Sequence, residues 1–210
     1  MTSSTSSTRS RKRPEERRQE IVDAAAAIAL EEGMERITLR AVAQRLGVRP
    51  GLITHYFPAA EDLVVEAFTR AALTERERFF PMDGGTPLQR LAHFVDHIQR
   101  GLSSSLARLW LNAQHLSRFS PSVAAAVEEQ DALDRSRLTE LIREGIAVGE
   151  FADIDAEAAG IRIFLAVDGR GAYVNRTADL SHPAYRDFVA DVTECMLGLA
   201  PGTLERQIQA

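Results

Sequence analysis

Between Thr38 and Tyr56 the chain sets out cations, hydrogen-bond donors and rings that helical spacing leaves on the outside of two short segments: Arg40, Gln44, Arg45, Arg49, Thr54, His55 and Tyr56. These side chains suit nucleic acid. A guanidinium bridges guanine O6 and N7 or answers a phosphate, a threonine methyl touches the thymine methyl, and hydroxyls donate to phosphate oxygens. The interleaved Leu39, Val42, Ala43, Leu46, Val48, Ile53 and Phe57 supply apolar contacts that hold such segments together. Two short helices around a glycine turn also occur in bundles that never meet DNA, so spacing alone leaves both uses open.

Other candidate chemistries are thinner. His93 and His97 share a helical face at i and i+4, but no acid or cysteine stands beside them at a fixed spacing, and no metal site is expected. Asp168 interrupts the apolar series Ala158, Ile161, Phe164, Leu165 and Ala172. A carboxylate on such a face requires a partner: an arginine such as Arg170 of a second copy, a backbone N–H, or a cationic ligand. Trp110 and Gln114 share a segment with Asn112 and His115, and a ring with an acid suits a quaternary ammonium. Trp110 also falls at helical spacing with Leu106 and Ala113, which reads equally as core. The sequence contains no G-x-S-x-G, G-x-x-x-x-G-K-S/T, H-E-x-x-H or paired-cysteine motif, so no catalytic residue and no cofactor is expected.

The elements that must position these groups read as helical throughout, giving an all-α fold. Residues 1–14 are polar and low in complexity and read as a disordered basic arm. The first helix covers 15–32, where Ile21, Ala24, Ala25 and Ile28 recur at helical spacing before Gly33. Thr38 is suited to cap a second helix that stops at Gly47, Pro50 to open a third, and Pro58 to end it. Longer amphipathic helices follow over 61–79, 86–101, 104–117, 121–148, 155–177 and 183–199, separated by Gly, Pro and Ser clusters. In the last of these Tyr185, Phe188, Val189, Val192, Met196 and Leu199 form one stripe, which suits either the protein's own core or a second copy. The division expected is 15–60 for nucleic-acid binding and 61–210 for regulation and assembly.

Charge supports that division. The chain carries −5 overall, yet residues 1–58 hold ten Arg and Lys against seven Asp and Glu, so the remainder is strongly acidic. A basic end on an acidic body places the phosphate-facing surface at the N-terminus. The arm Arg9 to Arg13, with Arg17 and Arg18, is a further candidate for phosphates or a minor groove, or is simply a solvated charge run. A single cysteine, Cys195, permits no internal disulfide, no export signal follows the basic arm, and no apolar run approaches the ~18 residues of a bilayer span. A cytoplasmic protein without membrane association is expected.

The run from Thr38 through Arg40, Gly47, Arg49, Pro50, Gly51, Thr54, His55 and Tyr56 to Phe57, followed by Glu61-Asp62-Leu63, closely resembles the TetR-family DNA-binding signature. Residues 51–57 and 141–151 are similar to the branch of choline-sensing repressors of the betaine pathway. This resemblance implies a three-helix N-terminal domain with a helix-turn-helix and a helical C-terminal domain for ligand binding and dimerisation. It implies a homodimer on a palindromic double-stranded operator, released by a small-molecule effector whose identity it does not give. Repression is the outcome the resemblance implies, with activation the alternative, because a sequence does not place the operator relative to a promoter. By position, Thr38 and Tyr56 face phosphates with Arg40 assisting, and Arg49, Thr54 and His55 face base edges or adjacent backbone, on a helix opened by Pro50 and Gly51. Tyr56 reads alternatively as a half-buried ring closing the domain. Trp110, Gln114 and Asp168 fall where the family places its ligand pocket, and Phe188, Val189, Val192 and Met196 where it dimerises. Two positions depart from the pattern: Ala60 stands where a lysine is frequent, and Arg49-Pro50 where small polar residues are common.

Overall fold

The computed structural model describes residues 13–80, 84–99, 103–176 and 181–209. Among them there is no strand, and no helix is long and apolar enough to cross a membrane. Most of the basic arm lies outside the described residues. Arg13 precedes α1 (Pro14–Glu31), where proline opens the helix and Glu16 accepts from the Arg13 backbone N–H at 3.1 Å. A single 3-10 turn at Met34–Arg36 then leads to α2 (Leu39–Leu46) and α3 (Pro50–Tyr56).

The turn between α2 and α3 follows from three residues. The Thr38 hydroxyl accepts from Ala41 N–H at 3.0 Å, satisfying a donor that the first helical turn leaves without a partner. Gly47 adopts φ 63°, a left-handed conformation that costs a side-chain-bearing residue energy, and so ends α2. Pro50 then opens α3 with its φ already set. Val42, Ala43, Ile53 and Phe57 close the space between the helices and are buried, while Leu39, Leu46 and Val48 are half-buried at its margin.

The body consists of α4 (Ala60–Phe79), α5 (Pro87–Gln99), α6 (Ser103–Ser117), α7 (Pro121–Ala147), α8 (Ala156–Val174), α9 (Pro183–Arg186), α10 (Phe188–Leu197) and α11 (Thr203–Gln209). One apolar core runs from α1 to α11. Its spine is α4, which packs along α1 on one side and α7 on the other. The Ser120 and Ser122 hydroxyls, at the start of α7, donate to Glu61 in the first turn of α4. These two bonds hold the Glu61 carboxyl below its ordinary pKa.

Two parts of the C-terminal end depart from the sequence reading. The helix expected over 183–199 is interrupted at Asp187, whose carboxylate takes both 2.7 Å hydrogen bonds from the Arg186 guanidinium. The break is slight, since Asp187 N–H still donates to the Pro183 carbonyl at 2.8 Å and Asp191 N–H to the Asp187 carbonyl at 2.9 Å. The short α11 was not expected at all. Its N-terminus is held by Glu194, buried in α10, which accepts from the N–H groups of Gly202 and Leu204 at 2.8 Å each and seats Leu204 in the core against α5.

Close packing fixes the joint between α7 and α8. A Cβ on Gly145 would stand 2.1 Å from the buried Phe151 ring. The Gly145→Ala variant therefore loses stability, by about 1–3 kcal/mol of overpacking less the ~1 kcal/mol gained in helix propensity. Urea unfolding followed by circular dichroism should show a lower midpoint, and an unchanged or raised midpoint would contradict this packing.

Candidate functional site

Around α3 the structure gathers one face of polar groups. Thr38, Arg40, Arg49, Pro50, Gly51, Thr54 and His55 are exposed, and Tyr56 is half-buried with its ring edge-on to His55 at 5.3 Å and its other side against the core. The Thr54 hydroxyl turns back to the Pro50 carbonyl at 3.3 Å, leaving its methyl outward. Arginines nearby divide into two kinds. Arg17 pairs with Glu20 at 2.6 Å and Arg45 with Glu31 at 2.7 Å. Arg18 pairs with Glu66 and lies over the Phe57 ring at 4.9 Å. Arg40 and Arg49 have no ion-pair or hydrogen-bond partner among the described residues. The arm candidates Arg17 and Arg18 are thus committed within the fold, whereas the two cations flanking the turn keep their donors free for an anion.

The second feature is a cavity of about 270 Å³ between α4, α5, α6, α7 and α8. Trp110, Gln114 and Asp168, expected as pocket residues, all line it, whereas Asn112 and His115 do not. Phe79, Phe80, Phe94 and Phe164 complete an aromatic wall, with Phe80 stacked on Phe94 at 5.0 Å and Phe164 edge-on to it at 6.1 Å. Trp110 is half-buried and meets Phe68 edge-on at 5.2 Å, so it serves core and cavity at once. Asp131 and Asp134 were not singled out in the sequence. Their i, i+3 spacing on α7 signals a shared face, but charged pairs on long helices are too common for that to mark a cavity.

Charge in the cavity wall is arranged in layers. Arg76 rises from α4, almost wholly buried, donates through Nε to Asp134, and donates through Nη2 to the Gln130 carbonyl at 3.1 Å and to Gln130 Oε1 at 2.9 Å. Burial pushes the Asp134 carboxyl up to about 6 against the opposing pull of Arg76. Arg170 donates to the carbonyls of Ile98 and Gln99 at 2.9 Å each, closing the C-terminal end of α5. Arg135 pairs with Asp131 at 2.9 Å. Asp168 is an exposed residue at the edge of the cavity, where partial desolvation, and secondarily the Asp131 carboxylate, raises its pKa. Outside the cavity, His93 directs Nε2 to the Arg78 carbonyl at 2.9 Å and His97 lies edge-on to Phe79 at 4.7 Å. Among the described residues no group of three His, Cys, Asp or Glu converges as a metal site.

Comparison with known proteins places the N-terminal end beside one family. The model for bacterial regulatory proteins of the tetR family matches residues 21–67, which span α1, the α2–turn–α3 unit and the start of α4. Over these residues the chain is similar to the tetR family. Its relatives include the transcriptional repressor KstR of Mycolicibacterium smegmatis, 40% identical over 92 residues that make up 41% of this chain and 44% of that protein. The chain thus spans less than half the length of that relative. A longer, weaker match is the transcriptional regulator BetI of Escherichia coli O17:K52:H18, 27% identical over 186 residues, 82% of this chain and 92% of that one. Among solved structures, a transcriptional regulator from Saccharomonospora viridis in complex with choline aligns with TM-score 0.71 at 22% identity, covering 86% of this chain and 96% of that one. A TetR-family regulator from a Rhodococcus species aligns with TM-score 0.73 at 18% identity, covering 87% and 99%. At these identities the two structures support the all-helical TetR fold alone.

One residue expected at the interface lies elsewhere. Val189 is fully buried in the protomer's own core, because α10 packs against α8 and its inner face is spent there. Phe188 is exposed, and Val192 and Met196 are half-exposed on the outer side. Beside them α8 presents Ile161 and Leu165, 45% and 65% exposed.

The raised pKa of Asp134 gives a stability test. Its folded value of about 6 exceeds the ordinary 3.8, so the folded state holds the proton more tightly than the unfolded chain. The stability this group contributes is present below the ordinary carboxylate range and is lost as pH rises through about 6. Between about pH 4 and pH 7 the wild-type Tm should fall relative to that of Asp134→Asn, whose residue does not titrate. A constant difference across that range would contradict the burial described for Asp134.

Proposed function

We propose that the chain is a cytoplasmic transcriptional repressor that grips a palindromic operator as a homodimer and lets go when a small molecule occupies the cavity. The observation that carries this reading is the exposed, unpaired state of Arg40 and Arg49 beside α3, where Arg17, Arg18 and Arg45 are spent on ion pairs and Arg36 ahead of α2 is likewise unpaired. In the proposed pose α3 enters the major groove with Arg49, Thr54 and His55 toward base edges, and Thr38, Arg40 and Tyr56 against the backbone. Pro50 and Gly51 keep the helix start slim enough for close approach.

A palindrome demands two such helices about 34 Å apart. The exposed apolar side chains Ile161, Leu165 and Phe188, with Val192 and Met196, form the face proposed to meet the second copy. Residues 15–60 then act as the reading head and 61–210 as the regulated body, joined by α4. Occupancy of the cavity moves α4, because Phe79 lines the cavity and Arg76 is bonded to Asp134 in its wall. A ligand that favours one spacing of the two heads over the other shifts the dimer away from the operator. Choline, seen with the Saccharomonospora viridis neighbour, is one candidate effector.

Mobility shift on the intergenic DNA beside its own gene, across a salt series, tests the proposal. Arg40→Ala should weaken binding on every sequence and lower the salt slope by about 1, while Arg49→Ala should cost about 1–3 kcal/mol and relax preference at one base position. The double variant Arg49→Ala, Tyr56→Ala should lose the shift while keeping the helical spectrum. Leu165→Glu should yield monomers in sedimentation. Wild-type binding by the double variant would overturn the assignment of this face.

A further inference from the structure

We propose that the corner between α6 and α7 is a second contact with operator DNA: Arg118, with Phe119 beside it, meets the sugar–phosphate backbone that passes the start of α4. This rests on the operator-binding reading above and adds to it a contact made by the regulated body. The start of α4 poses an electrostatic problem. Only Phe57, Pro58 and Ala59 separate α3 from α4, so a duplex seated on α3 passes close to the first turn of α4. Pro58, Ala59 and Ala60 are exposed there and carry no charge, and the next two residues, Glu61 and Asp62, are exposed acids. The Ser120 and Ser122 hydroxyls answer Glu61 but keep it ionised, and Asp62 has no partner among the described residues. Two exposed carboxylates repel phosphates unless a cation stands close by.

The body supplies that cation. Among the described residues of the body, Arg118 and Arg143 are the arginines without a side-chain partner; the others pair with acids or turn to carbonyls, a hydroxyl, a thioether or a ring. Their positions differ. Two Cα–Cα steps of about 3.8 Å separate Arg118 from Ser120, the residue bonded to Glu61, so the corner is fastened to α4 at the end nearest α3. Arg143 lies near the far end of α7, about 35 Å from Ser120 along the helix. Arg118 is exposed, and its backbone N–H donates to the His115 carbonyl at 3.3 Å, which fixes the turn without using the guanidinium. Phe119 is 73% exposed, with the His115 ring edge-on at 5.4 Å. A guanidinium answers a phosphate oxygen, and the neighbouring ring covers the sugar next to it.

Fluorescence anisotropy tests this contact, with a labelled duplex from the intergenic DNA beside the gene and an unrelated duplex of equal length, each read across a salt series. Arg118→Ala should weaken binding to both duplexes by the same factor and lower the salt slope by about 1 for each protomer bound. Arg143→Ala removes the same charge from the body and should leave the slope where it is. Arg118→Lys should keep the slope, and Ala60→Lys in the Arg118→Ala background should restore it, because each places a cation at the start of α4. Phe119→Ser should weaken binding without changing the slope. Circular dichroism melts establish that each variant is folded, and Arg118→Gln carries the test if Arg118→Ala is not. An equal fall in Arg118→Ala and Arg143→Ala, or no recovery with either lysine, would overturn the proposal. Loss confined to the intergenic duplex would make Arg118 a reader of bases, which also overturns it. Wild-type protein that binds neither duplex sinks the operator reading and this contact with it; wild-type binding with an unchanged slope in Arg118→Ala sinks this contact alone.

Discussion

Arg76 sits near the C-terminal end of α4 with its guanidinium almost out of water, a position tolerable only where its donors are met. Asp134 and Gln130 meet them, and removing either partner from such a buried pair typically costs about 3–5 kcal/mol. At the other end of the same helix, Glu61 is fastened to Ser120 and Ser122. The two attachments run in the same order along both chains, so α4 and α7 lie parallel and are clamped at two heights. A helix of 20 residues spans about 30 Å, and over that length α4 packs on α1 and reaches the cavity with Phe79. Its packing partners at the two ends are thus α1 and the wall of the cavity.

Much of this was legible in the residues. Thr38, Gly47 and Pro50 act through local backbone chemistry, which a sequence displays in full, and the turn they specify is present as read. The long helices 61–79, 104–117 and 121–148 also fall within a residue or two of their positions, because amphipathic spacing and prolines mark them. Trp110, Gln114 and Asp168 do converge on one cavity.

What escaped depends on contacts distant in sequence. The helix α11 is only seven residues long and is anchored by Glu194, a carboxylate on the preceding helix whose role no local pattern reveals. The apolar stripe through Phe188, Val189, Val192 and Met196 shows that one side of α10 is greasy, but not which part its own α8 consumes; Val189 went inward. The same holds for charge. Arg17 and Arg18 read as part of a basic run, and only the fold reveals Glu20 and Glu66 taking them up. Arg40 and Arg49, with Arg36, are left without such partners among the described residues.

The outer side of α8 does double duty. Ile161 and Leu165 are at once cavity lining and exposed apolar surface next to Phe188. If that surface is the dimer seam proposed above, a mutation that retunes ligand choice also alters how well two copies fit. Duplicated genes for such a regulator would then drift apart in effector and in partner together. Each descendant would come to pair with itself without a separate round of selection against mixed dimers.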